Sequence, residues 1–254
     1  YTPIYNGLAA WQLYHGPGYG AVVKYPFNQW IHVKVVIFEE RGEVYIDDMT
    51  KPALIIDDMK RELGAGKVGL KVNYFAPAYF SGFSYQKMEK PLLKFAKKKN
   101  KVRGKGIVTH WEISQAFNPE FQNSVMPPLS RLKWCQTESE PSGLVNLAKF
   151  NKLTKANSSV VAKFTILADR PVEKQLYFGY SDNVTVLFNG RKHYAGSNQF
   201  RSRDYRYLGT IGYFDSVFLS LKKGRNEVYF VVHEVFGGWG VQAKFEDLEG
   251  IQLQ

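Results

Sequence analysis

The residues best suited to chemistry lie in one polar, aromatic stretch, Tyr194 to Gly209. Within it Arg201, Arg203, Asp204, Tyr205, Arg206 and Tyr207 stand almost side by side. Tyrosine faces stack on pyranose rings, and guanidinium and carboxylate groups bracket hydroxyls with charge-assisted hydrogen bonds. Function is carried disproportionately on such loops. The same residues also serve a structural purpose, with Arg–Asp pairs pinning a long loop to its scaffold. Trp239, set among glycines in Phe236-Gly-Gly-Trp-Gly240, is the other candidate. The glycines leave an indole room to lie flat on a partner. A tryptophan there serves equally as a core plug. The candidate ligand-binding set is therefore Arg201, Arg203, Asp204, Tyr205, Tyr207 and Trp239.

Other chemistries find less support. A glycosidase needs two carboxylates across a cleft, about 5–10 Å apart. Glu43, Asp47, Glu112, Glu234 and Glu246 are available, but spacing alone pairs none of them. The Gly-x-Ser-x-Gly, Walker and Rossmann glycine patterns are absent. Cys135, beside Trp134, reads as a buried apolar residue more simply than as a nucleophile. Asp47-Asp48 and Asp57-Asp58 lack calcium-loop spacing and read as turn formers. His15, His32, His110, His193 and His233 show no metal-ligand spacing. No catalytic residue, metal or cofactor is assigned, and the chain leans toward a binding role over an enzymatic one.

The chain has 254 residues and a formal net charge of +11. Much of that charge sits in Lys87, Lys90, Lys94, Lys97, Lys98, Lys99, Lys101, Arg103 and Lys105, opposed only by Glu89. Such a run reads as a solvated linker, and no nucleic-acid partner is expected. No stretch approaches the roughly 18 apolar residues of a membrane span. The lone Cys135 excludes an intrachain disulfide. A start at Tyr1 leads us to expect a first domain lacking part of its N-terminal side and an exported, periplasmic or cell-surface precursor.

The elements that must hold these residues read as β throughout. Asn28–Phe38 alternates Ile31, Val33, Val35 and Ile37 against Trp30, His32, Lys34 and Val36. Glu43–Asp47, Ala53–Ile56, Lys67–Val72 and Ala78–Tyr85 continue the pattern. Lys90 to Lys99 forms either a short helix or irregular linker. Beyond it come strands at Gly106–Phe117, Gly143–Leu147, Ser159–Leu167, Leu176–Tyr180, Asn183–Phe188, Phe214–Leu219, Glu227–Val232 and Gly240–Phe245, with a strand near Trp134 and Cys135. Asn118 to Leu129 reads as loop. Asp182-Asn183, Asn189-Gly190 and Gly224-Arg-Asn226 are turn signals.

Phe178 to Gly190 and Leu221 to Val232 resemble the galactose-binding-like jelly roll appended to many glycoside hydrolases. Trp30 to Val35, Val44 to Leu54, Gly66 to Leu70 and Ala78 to Tyr85 resemble the second half of a concanavalin A-like (laminin G-type) sandwich. The resemblance implies an all-β chain of two β-sandwiches. Residues 1–86 form a partial concanavalin A-like domain, 87–106 a basic linker and 107–254 a galactose-binding-like jelly roll. It implies non-catalytic carbohydrate binding or accessory work in glycan processing. The alternatives are a glycan hydrolase or lyase of the concanavalin A-like class, or a protein-interaction sandwich. Both families often hold a structural calcium ion, which the spacing here does not support.

Overall fold

The computed structural model describes residues 1–72, 77–87, 89, 93–95, 104–118 and 129–254. The chain is all-β, with antiparallel sheets and, among the described residues, no long helix. Among the described residues no helix is long and apolar enough to cross a membrane. Two compact units form: Tyr1–His15 with Lys99–Gln254, and Gly16–Lys98.

The larger unit is a two-sheet sandwich. Its strands are β1 (Ile4–Tyr5), β2 (Leu8–Ala9), β6 (His110–Ser114), β7 (Trp134–Glu138), β8 (Val145–Asn146), β9 (Ser159–Ala168), β10 (Val172–Ser181), β11 (Asn183–Phe188), β12 (Arg191–Ser197), β13 (Asp215–Leu221), β14 (Gly224–His233), β15 (Gly240–Phe245) and β16 (Ile251–Leu253). One sheet runs β13-β10-β15-β8; the other runs β12-β11-β14-β9-β6-β7, with β16 also on β9. Along β9, β10 and β14 alternate side chains enter the core between the sheets; on β9 and β14 the opposite face is buried too, where Val161, Tyr229 and Val231 join Phe117 and Leu187 in a second cluster. Phe178 of the first sheet meets Phe230 of the second at 5.4 Å between ring centroids, and Phe164 meets Phe245 at 6.3 Å. These rings, with Trp111, Leu176, Val186 and Val241, form one continuous core.

The turn residues act as read. Asn189 (φ 48°) and Gly190 (φ 79°) close the β11–β12 hairpin, the left-handed pair that a two-residue hairpin favours. Asn226 is fully buried: its side chain donates to the carbonyls of Lys222 (2.7 Å) and Gly224 (3.1 Å) and accepts from the Lys222 N–H (3.1 Å). Asn189 reaches it as well, at 3.0 Å. Asn226→Ala is expected to cost about 1–3 kcal/mol, visible as a lower urea midpoint. An unchanged midpoint would show that the turn does not need this side chain.

Residues 1–15 group with this sandwich, not with the domain expected over residues 1–86. They are tied there by hydrogen bonds. Asn6 Nδ2 donates to the Ala148 carbonyl (2.9 Å), the Gln12 N–H to the Gly237 carbonyl (2.9 Å) and the Tyr14 hydroxyl to Glu140 Oε1 (2.5 Å).

The smaller unit holds one three-stranded antiparallel sheet: β3 (Val33–Phe38), β4 (Arg41–Ile46) and β5 (Leu54–Ile56). The strands expected at Lys67–Val72 and Ala78–Tyr85 do not form in the described residues. On β3 the burial is the reverse of what the alternation suggests. Val33, Val35 and Ile37 are exposed, while Lys34 and Val36 face buried Tyr45 and Glu43 across the pair. The reason is local: Glu43 accepts from the Tyr45 hydroxyl (2.6 Å) and the N–H groups of Lys94 (3.1 Å) and Phe95 (2.9 Å), so residues 94–95 cover that face. The possible helix at Lys90–Lys99 and the loop Asn118–Leu129 lie largely outside the described residues.

Candidate aromatic site at one end of the sandwich

Four segments of the larger unit meet where β10 passes into β11: residues 10–15, Ser181-Asp182, residues 198–211 and residues 234–239. At their centre is Gln12. Its Nε2 donates to the Leu208 carbonyl (3.0 Å), and its Oε1 accepts from the Ser181 hydroxyl (3.3 Å). Its main-chain carbonyl takes the Ile211 N–H at 3.0 Å. A Cβ at Gly209 or at Gly237 would lie 2.2 Å from this carboxamide, and both glycines have positive φ. Each must therefore lack a side chain for Gln12 to enter.

Beneath Gln12 lie two buried acids. Asp182 Oδ2 accepts from the N–H groups of Val235 (3.0 Å) and Phe236 (3.3 Å). Glu234 Oε1 accepts from the Gly238 N–H (3.2 Å), and among the described residues its Oε2 has no hydrogen-bond partner. Burial, reinforced by the neighbouring Asp182 carboxyl, pushes Glu234 well above the usual carboxylate range. Burial also raises Asp182, with the two backbone donors pulling the other way. Both acids staple loops from inside, Asp182 being 0% and Glu234 1% exposed. Of the other carboxylates considered, Glu43 is buried in the smaller unit, Asp47 accepts from the His32 N–H (2.7 Å), and Glu112 pairs with Lys163 (3.2 Å).

Over the staple sits an aromatic trio. Trp11 lies 6.3 Å from Phe200 and 6.2 Å from Phe236, and the two phenylalanines are 6.0 Å apart. Trp11 and Phe200 are half-buried, and Phe236 is 45% exposed. The trio joins residues separated by more than two hundred positions, which no local pattern reveals. Its nearest sequence signal is Phe236, the first residue of the glycine-rich segment that had pointed to Trp239.

Trp239 itself is closed to ligand. It is 0% exposed, donates Nε1 to the Val232 carbonyl (3.3 Å) and belongs to the core. Two of the arginines in the loop are already paired, Arg203 with Asp215 (2.6 Å) and Arg206 with Asp204 (3.0 Å). The Arg206 side chain and N–H hold the Asp204 carboxyl below its ordinary range. Tyr207 donates its hydroxyl to buried Asn198, which in turn donates to the Tyr180 carbonyl (3.0 Å). Tyr207 is thus an anchor. Tyr205 is 75% exposed, with the Arg206 guanidinium 5.2 Å from its ring centroid, and Arg201 is exposed with its guanidinium 4.9 Å from the Phe200 centroid. The segment from Tyr194 to Ser197, read as loop, is the end of β12. Cys135 is exposed, contrary to its expected burial: it lies opposite the core residue Ile113, but on β7, the edge strand of its sheet. Among the described residues no group of His, Cys, Asp and Glu is arranged to hold a metal ion.

No family model matches the chain, and no curated protein matches it. Among solved structures it is similar to a family 35 carbohydrate binding module from an environmental isolate. That likeness has 13% identity and a TM-score of 0.28, and covers 38% of this chain and 72% of that one. A family 35 carbohydrate binding module from Clostridium thermocellum gives 11% identity and a TM-score of 0.25, with 34% and 70% covered. A beta-glucosidase from Kluyveromyces marxianus gives 14% identity and a TM-score of 0.32 over 57% of this chain, which spans only 16% of that enzyme. Likenesses this slight do not speak for what the chain binds.

Proposed function

We propose that the larger unit binds carbohydrate without making or breaking bonds, as part of an exported protein that works on or beside glycans. The observation that carries this is the trio Trp11, Phe200 and Phe236, partly open to solvent, with exposed Tyr205 on the same loop as Phe200. Aromatic faces bury the apolar side of a pyranose, and the polar loop around them supplies hydrogen bonds. The two units are taken as the galactose-binding-like and concanavalin A-like modules that the sequence resembles, and the compartment as periplasm or cell surface.

A glycan array followed by titration tests this. Trp11→Ala and Phe236→Ala are each expected to weaken the best glycan at least tenfold, about 1.4 kcal/mol, with the melting transition retained. Tyr205→Ala gives a third variant, on a side chain 75% exposed that packs against the Arg206 guanidinium, 5.2 Å from its ring centroid. Binding to no glycan, or full affinity in all three variants, would remove the proposal.

One observation favours a second reading for the smaller unit. The exposed row Val33, Val35 and Ile37 is an apolar sheet face of the kind that docks proteins.

A further inference from the structure

We infer that β3 is the contact through which two copies of this chain pair edge to edge, about a two-fold axis at Val35. This rests on the reading of Val33, Val35 and Ile37 as a protein-docking row. Strand β3 is the outer strand of its sheet, and among the described residues no other strand borders its free side. Two hydrogen bonds fix which backbone groups face that side. The Asp47 N–H donates to the His32 carbonyl, and the Ala53 N–H donates to the Val44 carbonyl, both at 2.8 Å. The first turns His32 toward β4. The second turns Val44, which stands opposite Val35, away from β3 and toward the next strand. In an antiparallel ladder alternate residues point both backbone groups the same way. Lys34 and Val36 therefore bond to β4, and the N–H and C=O groups of Val33, Val35 and Ile37 point out of the free edge.

These three residues also carry the exposed side chains, at 51%, 55% and 59%. One edge thus offers unpaired backbone and an apolar row together. Natural sheets guard such an edge with charge, proline or a bulge. The one acid or base of β3, Lys34, faces the other way, its ammonium 4.1 Å from the centre of the Tyr45 ring. Backbone groups presented at alternate residues call for an extended strand, and β3 itself fits. With the axis at Val35, the two copies of Val35 meet, and each Val33 meets the second copy's Ile37. Every such pair exchanges both backbone bonds, and all the apolar side chains lie on one face. An axis at Lys34 would set two ammonium groups opposite each other. An axis at Val36 would leave Val33 facing the turn residue Glu39, and an axis between residues would set the row against the Lys34 side. The row is small beside the roughly 800 Å² per partner of a stable interface, so pairing is expected only at high protein concentration. The net charge of +11 opposes it, and salt should strengthen it.

Sedimentation equilibrium of the full chain at raised salt tests this. Wild type is expected to double its mass as concentration rises from about 5 μM to about 500 μM, the range of a weak contact. Val35→Lys and Val35→Glu are each expected to stay monomeric alone and to associate when mixed, because residue 35 meets itself across the axis. Val35→Pro removes an outward N–H that the β3–β4 ladder does not use, and is expected to weaken pairing at least tenfold. Amide hydrogen exchange supplies a second reading. Val35 should exchange fast in dilute protein and slowly in concentrated protein, while Val36 stays protected in both. A monomer at every concentration overturns the inference alone, since the docking reading asks only for some protein partner. A dimer lost in Val35→Lys but kept in Val35→Pro is a stacking of faces; it overturns edge pairing and leaves the docking reading standing. A dimer untouched by Val35→Lys, or no association of the Lys and Glu variants when mixed, also overturns the inference. A Val35 amide already protected in dilute protein would show the row covered within the chain and overturn both.

Discussion

Replacing Trp239 with alanine is expected to destabilise the larger unit by about 3–5 kcal/mol, the range for removing a large aromatic from a packed core. The indole is fully buried among Val145, Leu147, Val241 and their neighbours in the core. Two hydrogen bonds cross at this residue, from Nε1 to the Val232 carbonyl and from the Leu147 N–H to the Trp239 carbonyl (2.7 Å). Truncation removes the first and leaves a cavity between the two sheets. A domain of this size holds only about 5–15 kcal/mol in total, so the loss is a large share of it. Urea unfolding should show a much lower midpoint with little change in slope. Tyr205→Ala, on an exposed side chain, should stay within about 0.5 kcal/mol of wild type. A near-normal midpoint for Trp239→Ala would mean that the indole is not a core residue and would reopen it as a ligand platform.

That contrast shows how much of the molecule is legible in its sequence. The sandwich strands are, because alternation and turn chemistry are local properties. Asn183–Phe188 and Gly240–Phe245 form as strands over those same residues. Asn189, Gly190 and Asn226 make turns because only such residues tolerate the conformations or satisfy the bare carbonyls there. Trp239 is ambiguous for a physical reason: an indole between glycines looks the same whether it points inward or outward. The site is the least legible part. Trp11 and Gln12 reach it from a segment separated from the rest of the sandwich by the whole smaller unit. Asp182 reads as a turn former, yet its carboxylate fastens Val235 and Phe236, more than fifty residues away. Lys67–Val72 has strand alternation and forms no strand. Alternation supplies a face, but a strand also needs a partner edge.

The pair beneath Gln12 gives the second large effect, a dependence of stability on pH. Glu234 is 1% exposed, and its folded-state affinity for a proton lies well above the ordinary value of 4.5. Between that ordinary value and the raised one, the folded chain holds a proton that the unfolded chain has released. Stability therefore falls as pH rises through this window, by up to about 1.4 kcal/mol per pH unit for one proton. Below the window both states are protonated and nothing is lost. Asp182 acts in the same sense, its carboxyl also being raised. Carboxyls held low, such as Glu43 and Glu227, act in the opposite sense and only as pH falls through their folded values. His233, lowered by burial from 6.5, costs stability as pH falls through that range. His233 is common to wild type and variant and drops out of the difference between their curves. Glu234→Gln keeps an acceptor for the Gly238 N–H and cannot ionise. Its stability should decline less steeply than wild type as pH rises above the ordinary carboxyl value of 4.5, so that the variant gains on wild type toward the alkaline end. Two parallel stability curves would show that Glu234 carries no proton into the folded state, and that its unpartnered oxygen is satisfied in some other way.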